Sequence, residues 1–422
     1  MPKINAVPGE QALATAFAPL EDPRCAINRR HRLSEMIVLA IAAVLAGADG
    51  WQDVERFGRA KEAWFRQFLG LPHGIPSHDT FGRVFGLLDP QAFEACFRNW
   101  AAALCALIPG EIIAVDGKTL RRSHDRNAGL AALHLVSAWA TANAVVLGQV
   151  ATEAKSNEIT AIPQLLAFLH LKGCIVTIDA MGCQTKIAEQ IVAQGGDYVL
   201  ALKGNQGTLA TEVEEAFISA DAKDYAGMDA QFLETVERGH GRVETRRYRT
   251  LGDLAEVPRS ALWQGMNMIG MVESERTVDG KTSVETRYHI GSIGTDVASF
   301  ARAVRAHWGI ENTLHWSLDM TFREDECRVR QPAARENLAV LRHIALSRLK
   351  QDDAKFSLRN KRNTAGWDDR YLAKLLFEAP KPPTSTPVSY THLRAHETGV
   401  EISYAVFCLK NGGGGGGGGG GG

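Results

Sequence analysis

The chain has 422 residues, 45% hydrophobic and 23% charged, so it is globular and long enough for two or more domains. A net charge of −1 excludes a strongly basic protein that coats nucleic acid, although local basic patches remain compatible with it. Seven scattered cysteines (Cys25, Cys96, Cys105, Cys174, Cys183, Cys327 and Cys408), none in a CxxC pair, give neither a disulfide framework nor a zinc ribbon and suit a reducing cytoplasm.

The N-terminus lacks a basic region followed by an apolar stretch, so no signal peptide is expected. Residues 24–32, "RCAINRRHR", form a basic lead-in. Helix-like segments follow at 34–48, 51–69, 79–88 and 90–107, separated by the stop signals "GLPHGIPSHD" and "DP". The first holds the longest apolar run, "MIVLAIAAVLAGA", which falls short of the roughly 18 residues of a membrane span. With Ser34 as a candidate N-cap and Gly47 as an end signal it is predicted to be a core helix, and no membrane partner is expected. Residues 1–108 therefore constitute an α-helical N-terminal domain.

From residue 111 the texture changes. "EIIAVDGKTL", "LHLVSAWA" and "VVLGQVATE" are strand-like, "NEITAIPQLLAFL" is helical, "CIVTIDAM" is a strand, "QTKIAEQIVAQGG" a helix and "DYVLALKG" a strand. This β-β-β-α-β-α-β order predicts an α/β domain with a mixed sheet over 109–377. A helix over 207–217 precedes a β-rich insertion, about 218–293, with "GHGR" and "VDGKT" as hairpin turns. A long helix over about 297–318 contains "HWGIENTLHWSLDMTF". Residues 378–422 read as linker and artefact: 388–399 and 402–410 resemble translated sequencing adapters and 412–422 are all glycine, so the genuine sequence is expected to stop near Pro387.

Two carboxylates end apolar strands, Asp116 after "IIAV" and Asp179 after "CIVTI". A carboxylate there is unfavourable unless it faces a cleft where a cation or substrate meets it. One such Asp is more often a turn residue; two in one α/β unit are better evidence, since neighbouring strand ends lie roughly 4.8 Å apart and could share divalent ions. Oxygen-rich sites without Cys or His favour hard cations such as Mg²⁺, and two such ions can drive phosphodiester cleavage.

Glu311 is the candidate third ligand. At 100° per residue Val304, Trp308, Glu311, His315 and Leu318 share one face, so Glu311 is expected to point into the domain. The bland alternative is a core-facing Glu paired with Arg302 or Arg305. A zinc site from His307, Glu311 and His315 is rejected, because the two His lie about 12 Å apart along a helix axis. Lys118, Arg121 and Arg122 after Asp116, and Lys203 and Asn205 in "KGNQ", suit phosphate contacts. Arg246, Arg247 and Arg249 in "ERGHGRVETRRYRT" suit a nucleic-acid backbone, although such runs are more often solvated faces.

"AVDGKTLRRS", "KSNEITAIPQLL", "VTIDAMGCQ", "GGDYVLALKGNQ" and "HWGIENTLHWSLDMTFREDECRVR" closely resemble blocks of bacterial insertion-sequence DDE transposases, of the branch that includes the H-repeat-associated proteins. The resemblance runs from about 22 to 377. It implies an RNase H-like catalytic domain behind a helical N-terminal domain, and an Asp-Asp-Glu triad, here Asp116, Asp179 and Glu311, binding two Mg²⁺ ions, with Mn²⁺ able to substitute. It also implies double-stranded DNA (element ends and target) as partner, a homo-oligomer on DNA, and a cytoplasmic, nucleoid-associated location. Related transposases carry a Tyr, an Arg and a Lys at set spacings around the Glu, where this chain has Val304, His307 and Leu318. The rival class is a domesticated or decayed DNA-binding protein that keeps the fold without transposing; a stand-alone nuclease ranks last.

Overall fold

The computed structural model describes residues 13, 15–105, 109–124, 129–152, 158–239 and 241–378. The adapter-like and poly-glycine tail lies outside them, as does the whole "KSN" preceding Glu158.

The helical first part contains α1 (Leu33–Leu45), α2 (Trp51–Ala60), α3 (Glu62–Phe65), α4 (His78–Leu87) and α5 (Pro90–Leu104). α1 is apolar on every side and buried over most of its length, as a core helix must be. Ser77 caps α4 by accepting from Thr80 N–H, and Asp89 caps α5 ahead of Pro90 at its first position. The single helix expected over 51–69 is two, broken at Lys61.

Next come β1 (Ile112–Thr119), β2 (His134–Ala140), β3 (Val145–Thr152), α6 (Glu158–Ala167), β4 (Ile175–Ile178), α7 (Thr185–Ala193), β5 (Asp197–Leu202) and α8 (Gly207–Ala222). Four long strands follow: β6 (Ala230–Gly239), β7 (Arg242–Leu251), β8 (Met268–Val278) and β9 (Lys281–Gly291). All nine form one sheet in the order β3-β2-β1-β4-β5-β9-β8-β7-β6. β1, β4 and β5 are parallel neighbours, and every other pairing is antiparallel. The molecule is thus a mixed α/β protein, and the β-rich stretch extends the same sheet through the β5–β9 pairing. Asp279 and Gly280, both at positive φ (49° and 76°), make the tight β8–β9 turn that a right-twisted hairpin requires.

α9 (Val297–Ile310) crosses one face of this sheet, where Val297, Phe300 and Val304 pack on Ile112, Ile175 and Val199. Gly270 lets it approach closely, since a Cβ there would lie 2.4 Å from the Phe300 ring. The helix does not run straight to 318. Glu311–His315 is a π-helical turn, followed by the short α10 (Trp316–Met320). The described residues end in α11 (Pro332–Gln351), α12 (Leu358–Trp367) and α13 (Asp369–Phe377). α11 packs between α1, α4 and α5 on one side and β3 on the other, so the N-terminal helices share one continuous core with the sheet. Among the described residues no helix is long and apolar enough to cross a membrane.

Candidate active site

The parallel pairing of β1 with β4 sets the first two carboxylates. Its last matched residues are Val115 and Ile178, so the next residues along the two strands are Asp116 and Asp179. Side chains alternate across a sheet, and Ile112 and Ile175 face α9; Asp116 and Asp179 therefore face it too. Both side chains accept from backbone N–H groups: Asp116 Oδ1 from Gly117 (2.8 Å), and Asp179 Oδ1 from Met181 (3.0 Å) and Gly182 (3.3 Å).

Glu311 opens the π turn on the same side of the sheet. It lines a cavity of about 320 Å³ with Asp179, Lys203, Arg287, His289 and His307. A wheel of constant 100° steps cannot hold through a π turn. Val304 and Leu318 are buried as expected, whereas Trp308 is 38% exposed beneath the Arg287 guanidinium (4.0 Å), and Glu311 is exposed. The expectation that Glu311 points into a packed face is thus corrected: it faces a solvent-accessible cleft. Neither candidate arginine pairs with it, since Arg302 bonds Ser299 and Arg305 pairs with Glu237 at 2.8 Å.

Asp116 feels the other two carboxylates. Burial first, and then the like charges of Asp179, Glu311 and Glu158, push the Asp116 carboxyl up to about 7 against the backbone hydrogen bond from Gly117. Two histidines that sequence reasoning does not assign to this site stand beside the aspartates. His315 Nδ1 lies 3.5 Å from Asp116 Oδ2, and burial, with Lys118 nearby, drives its imidazole down to about 3. Burial also lowers His307, opposed by the charge of Asp179 and a bond to the Thr177 backbone. His289, fully buried in β9, is held at about 3 by burial, His307 and Arg287. The imidazoles are therefore neutral at physiological pH. His307 and His315 are visible in the sequence, where their spacing raises only the question of zinc; nothing short of the β5–β9 pairing reveals His289.

Among the described residues, no group of three or more His, Cys, Asp or Glu side chains is placed to hold a metal ion. The donor chemistry nevertheless fits a hard cation. Asp116, Asp179 and Glu311 offer carboxylate oxygens, none has a Lys or Arg ion-pair partner among the described residues, and the repulsion acting on Asp116 is what a cation would relieve.

The cations expected to meet phosphate are distributed differently. Lys118 is half-buried and held by Asp319 (2.8 Å), Glu324 (2.9 Å) and Asp325 (3.7 Å). Arg246 is bound by Glu237 and Glu244, and Arg247 by Glu234, Glu273 and Glu275. Apart from Glu244, which lies on β7 itself, these partners come from neighbouring strands: Glu234 of β6 and Glu273 of β8 lie directly opposite Arg247. The expected bare Arg ribbon is therefore corrected at these positions to an ion-paired one. Arg249 lies over the Phe232 ring (5.5 Å). Arg121 (83% exposed, 3.3 Å from Asp325), Arg122 and Lys203 are exposed, and so is Asn205, which donates to Ala180 O.

The transposase DDE domain profile matches residues 108–348, and the DDE_Tnp_1-associated profile matches 14–101. The chain belongs to the bacterial DDE transposase family. The "H repeat-associated putative transposase YhhI" of Escherichia coli K12 is 40% identical over 356 residues, covering 82% of this chain and 92% of that protein. A protein encoded in the dhlA 3′ region of Xanthobacter autotrophicus is 47% identical over 284 residues, covering 66% and 94%. Among solved structures, a piggyBac transposase synaptic complex with hairpin DNA aligns with a TM-score of 0.39 at 9% identity, over 90% of this chain and 79% of that one. That likeness is too slight to carry an argument. Family membership makes this a DNA-cutting and joining enzyme of a class that generally uses divalent metal ions.

Proposed function

We propose that the chain cuts the ends of an insertion sequence and joins the freed 3′-OH to target DNA, with Asp116, Asp179 and Glu311 as the catalytic carboxylates on an RNase H-like core. The observation that supports this reading is that Asp116 and Asp179 directly follow the last matched pair of the parallel strands without a Lys or Arg ion-pair partner among the described residues, and that burial, with the like charges of Asp179 and Glu311, pushes Asp116 up to about 7. The strand order β3-β2-β1-β4-β5, antiparallel then parallel, supports the RNase H-like core. The three carboxylates would hold two Mg²⁺ ions, or Mn²⁺ in their place, which when bound would activate the attacking hydroxyl and stabilise the leaving oxygen.

The chain's own groups prepare that cleft. Backbone N–H groups of Gly117, Met181 and Gly182 fix the aspartate rotamers, and neutral His307 and His315 border the carboxylates without neutralising them. Lys203, Asn205, Arg121, Arg122 and Arg249 are the proposed contacts to double-stranded DNA. Lys118, Arg246 and Arg247 would reach phosphate only by exchanging carboxylate partners, and so contribute less. Pairing of two element ends calls for a homo-oligomer on DNA.

Glu311→Gln tests the assignment. It preserves shape and removes one charge from an exposed position. Binding to element-end DNA and the melting temperature stay at parental values, while Mg²⁺-dependent strand cleavage falls by about two orders of magnitude or more. A variant that nicks DNA at the parental rate removes Glu311 from the catalytic set. Intact binding with no cleavage by the parent protein would favour the domesticated DNA-binding reading instead.

A further inference from the structure

Behind β1, on the face opposite Asp116, a polar chain that the proposed reaction does not use runs inward from the exposed Thr119 to a buried pair. Strand alternation places Gly117 and Thr119 on that face. Thr119 lies directly across from His134 of β2, and its Oγ1 is 2.7 Å from His134 Nδ1. The other ring nitrogen, Nε2, is 2.7 Å from Glu158 Oε1, at the start of α6. His134 and Glu158 are 1% and 3% exposed. A carboxylate so deeply buried is costly, and the family assignment gives it no role.

The pair presses on the backbone beside Asp116. A Cβ at position 117 would lie 2.4 Å from Glu158 Oε1 and 2.6 Å from His134 Nε2, so this contact requires glycine. The same Gly117 supplies the N–H that holds Asp116 Oδ1. Glu158 also reaches Asp116 electrostatically: after burial, its charge joins those of Asp179 and Glu311 in pushing that carboxyl up.

We propose that the Thr119–His134–Glu158 chain is a positioning device for Asp116, fixing the Gly117 backbone from behind and adding a buried negative charge that strengthens the site's hold on a divalent cation. The inference rests on the reading of Asp116 as a cation ligand. A pair that merely fastens α6 to β2 would affect melting but leave cation affinity unchanged.

The test uses the full chain with Mn²⁺ as probe. Bound ion is measured without DNA from the decrease of the free Mn²⁺ paramagnetic resonance signal, alongside melting and nicking. Glu158→Gln keeps the shape and a hydrogen bond to His134 while removing the charge. Mn²⁺ affinity falls about tenfold, and the Mn²⁺ concentration for half-maximal nicking rises in parallel. Nicking at saturating Mn²⁺ recovers to within about threefold of the parent, and Glu158→Asp restores part of the affinity. Asp116→Asn is the control and weakens Mn²⁺ binding more than Glu158→Gln does. Unchanged binding in Asp116→Asn would sink the ligand reading and this inference with it. Weaker binding in Asp116→Asn with no change in Glu158→Gln overturns the positioning role alone. Should Glu158→Gln fail to fold, Gly117→Ala displaces the same pair from the strand side, and unchanged Mn²⁺ affinity in that folded variant overturns the proposal.

Discussion

Asp116 and Lys118 sit two residues apart on the same face of β1, and the fold treats their charges in opposite ways. Around Asp116 gather further carboxylates, Asp179 and Glu311, with histidines that burial keeps neutral. Around Lys118 gather Asp319, Glu324 and Asp325, and Glu324 is also met by Arg342 at 3.6 Å. Asp116 is pushed up to about 7, whereas Glu324, although more deeply buried, is held at about 2 because Lys118, Arg342 and His343 outweigh burial. Depth is therefore not what separates a reactive carboxylate from a structural one here. The difference is whether the chain supplies the opposite charge itself or leaves it to come from solution.

The largest effect expected from breaking this contrast is catalytic. Asp116→Asn removes a repelled charge, so the melting temperature without metal stays level or rises, while strand cleavage falls by about three orders of magnitude or more. Gel assays of nicking and a thermal melt on one preparation check both halves. Early melting with parental cleavage per folded molecule would make Asp116 a structural residue.

Lys118→Met does the reverse. It strands the buried Glu324, and leaves the half-buried Asp319, with less compensation, which costs on the order of 3–5 kcal/mol. Denaturant unfolding should show that destabilisation with or without Mg²⁺. An effect confined to DNA affinity would mean that Lys118 contacts phosphate after all.

Acid should probe the same network. The folded-state value of Glu324, about 2, lies below its ordinary 4.5, so its contribution is fully present above about 4.5 and is lost as pH falls from there toward 2. Glu324→Gln flattens the stability-against-pH curve in that window, and an unchanged curve would mean that other carboxylates carry the acid response.

Much of the path to this site is legible in the sequence because it follows from short-range pattern. The apolar run before Asp179 marks a strand end, whereas β1 continues past Asp116 to Thr119 and only its pairing with β4 stops there; the β-β-β-α-β-α-β order matches the strands and helices observed. The mixed α/β class follows from that order. The helix with Glu311 is legible as a helix but not in its facing, because the π turn alters the rotation from which a face is inferred. The core role of α11 is hidden for another reason. It buries Arg342, His343 and Arg348 besides its apolar residues, and their partners lie far away in sequence at Glu324, Leu375 and elsewhere. The arginines of β7 mislead for a similar reason, since all of their glutamates except Glu244 come from strands whose register a single sequence does not display.

That last point yields the smallest and most discriminating prediction. Arg121 and Arg122 are exposed, and the ion pair between Arg121 and Asp325 is solvent-facing, of a kind worth little. Arg246 and Arg247 already hold two and three glutamates of their own chain. A cation that must first leave a carboxylate gains little by meeting a phosphate, and it releases few DNA counterions in net terms. Replacing Arg121 and Arg122 together with Ala should therefore reduce the slope of log affinity against log salt by about 0.9 for each phosphate no longer neutralised. Replacing Arg246 and Arg247 should leave that slope nearly unchanged and show up instead as lower stability of the β6–β7–β8 sheet. Fluorescence anisotropy with element-end DNA at several salt concentrations, paired with melts of both variants, measures the two effects independently. If the slopes changed the other way round, the ion-paired ribbon would open on DNA, and charge compensation in the free chain would not distinguish structural cations from binding ones.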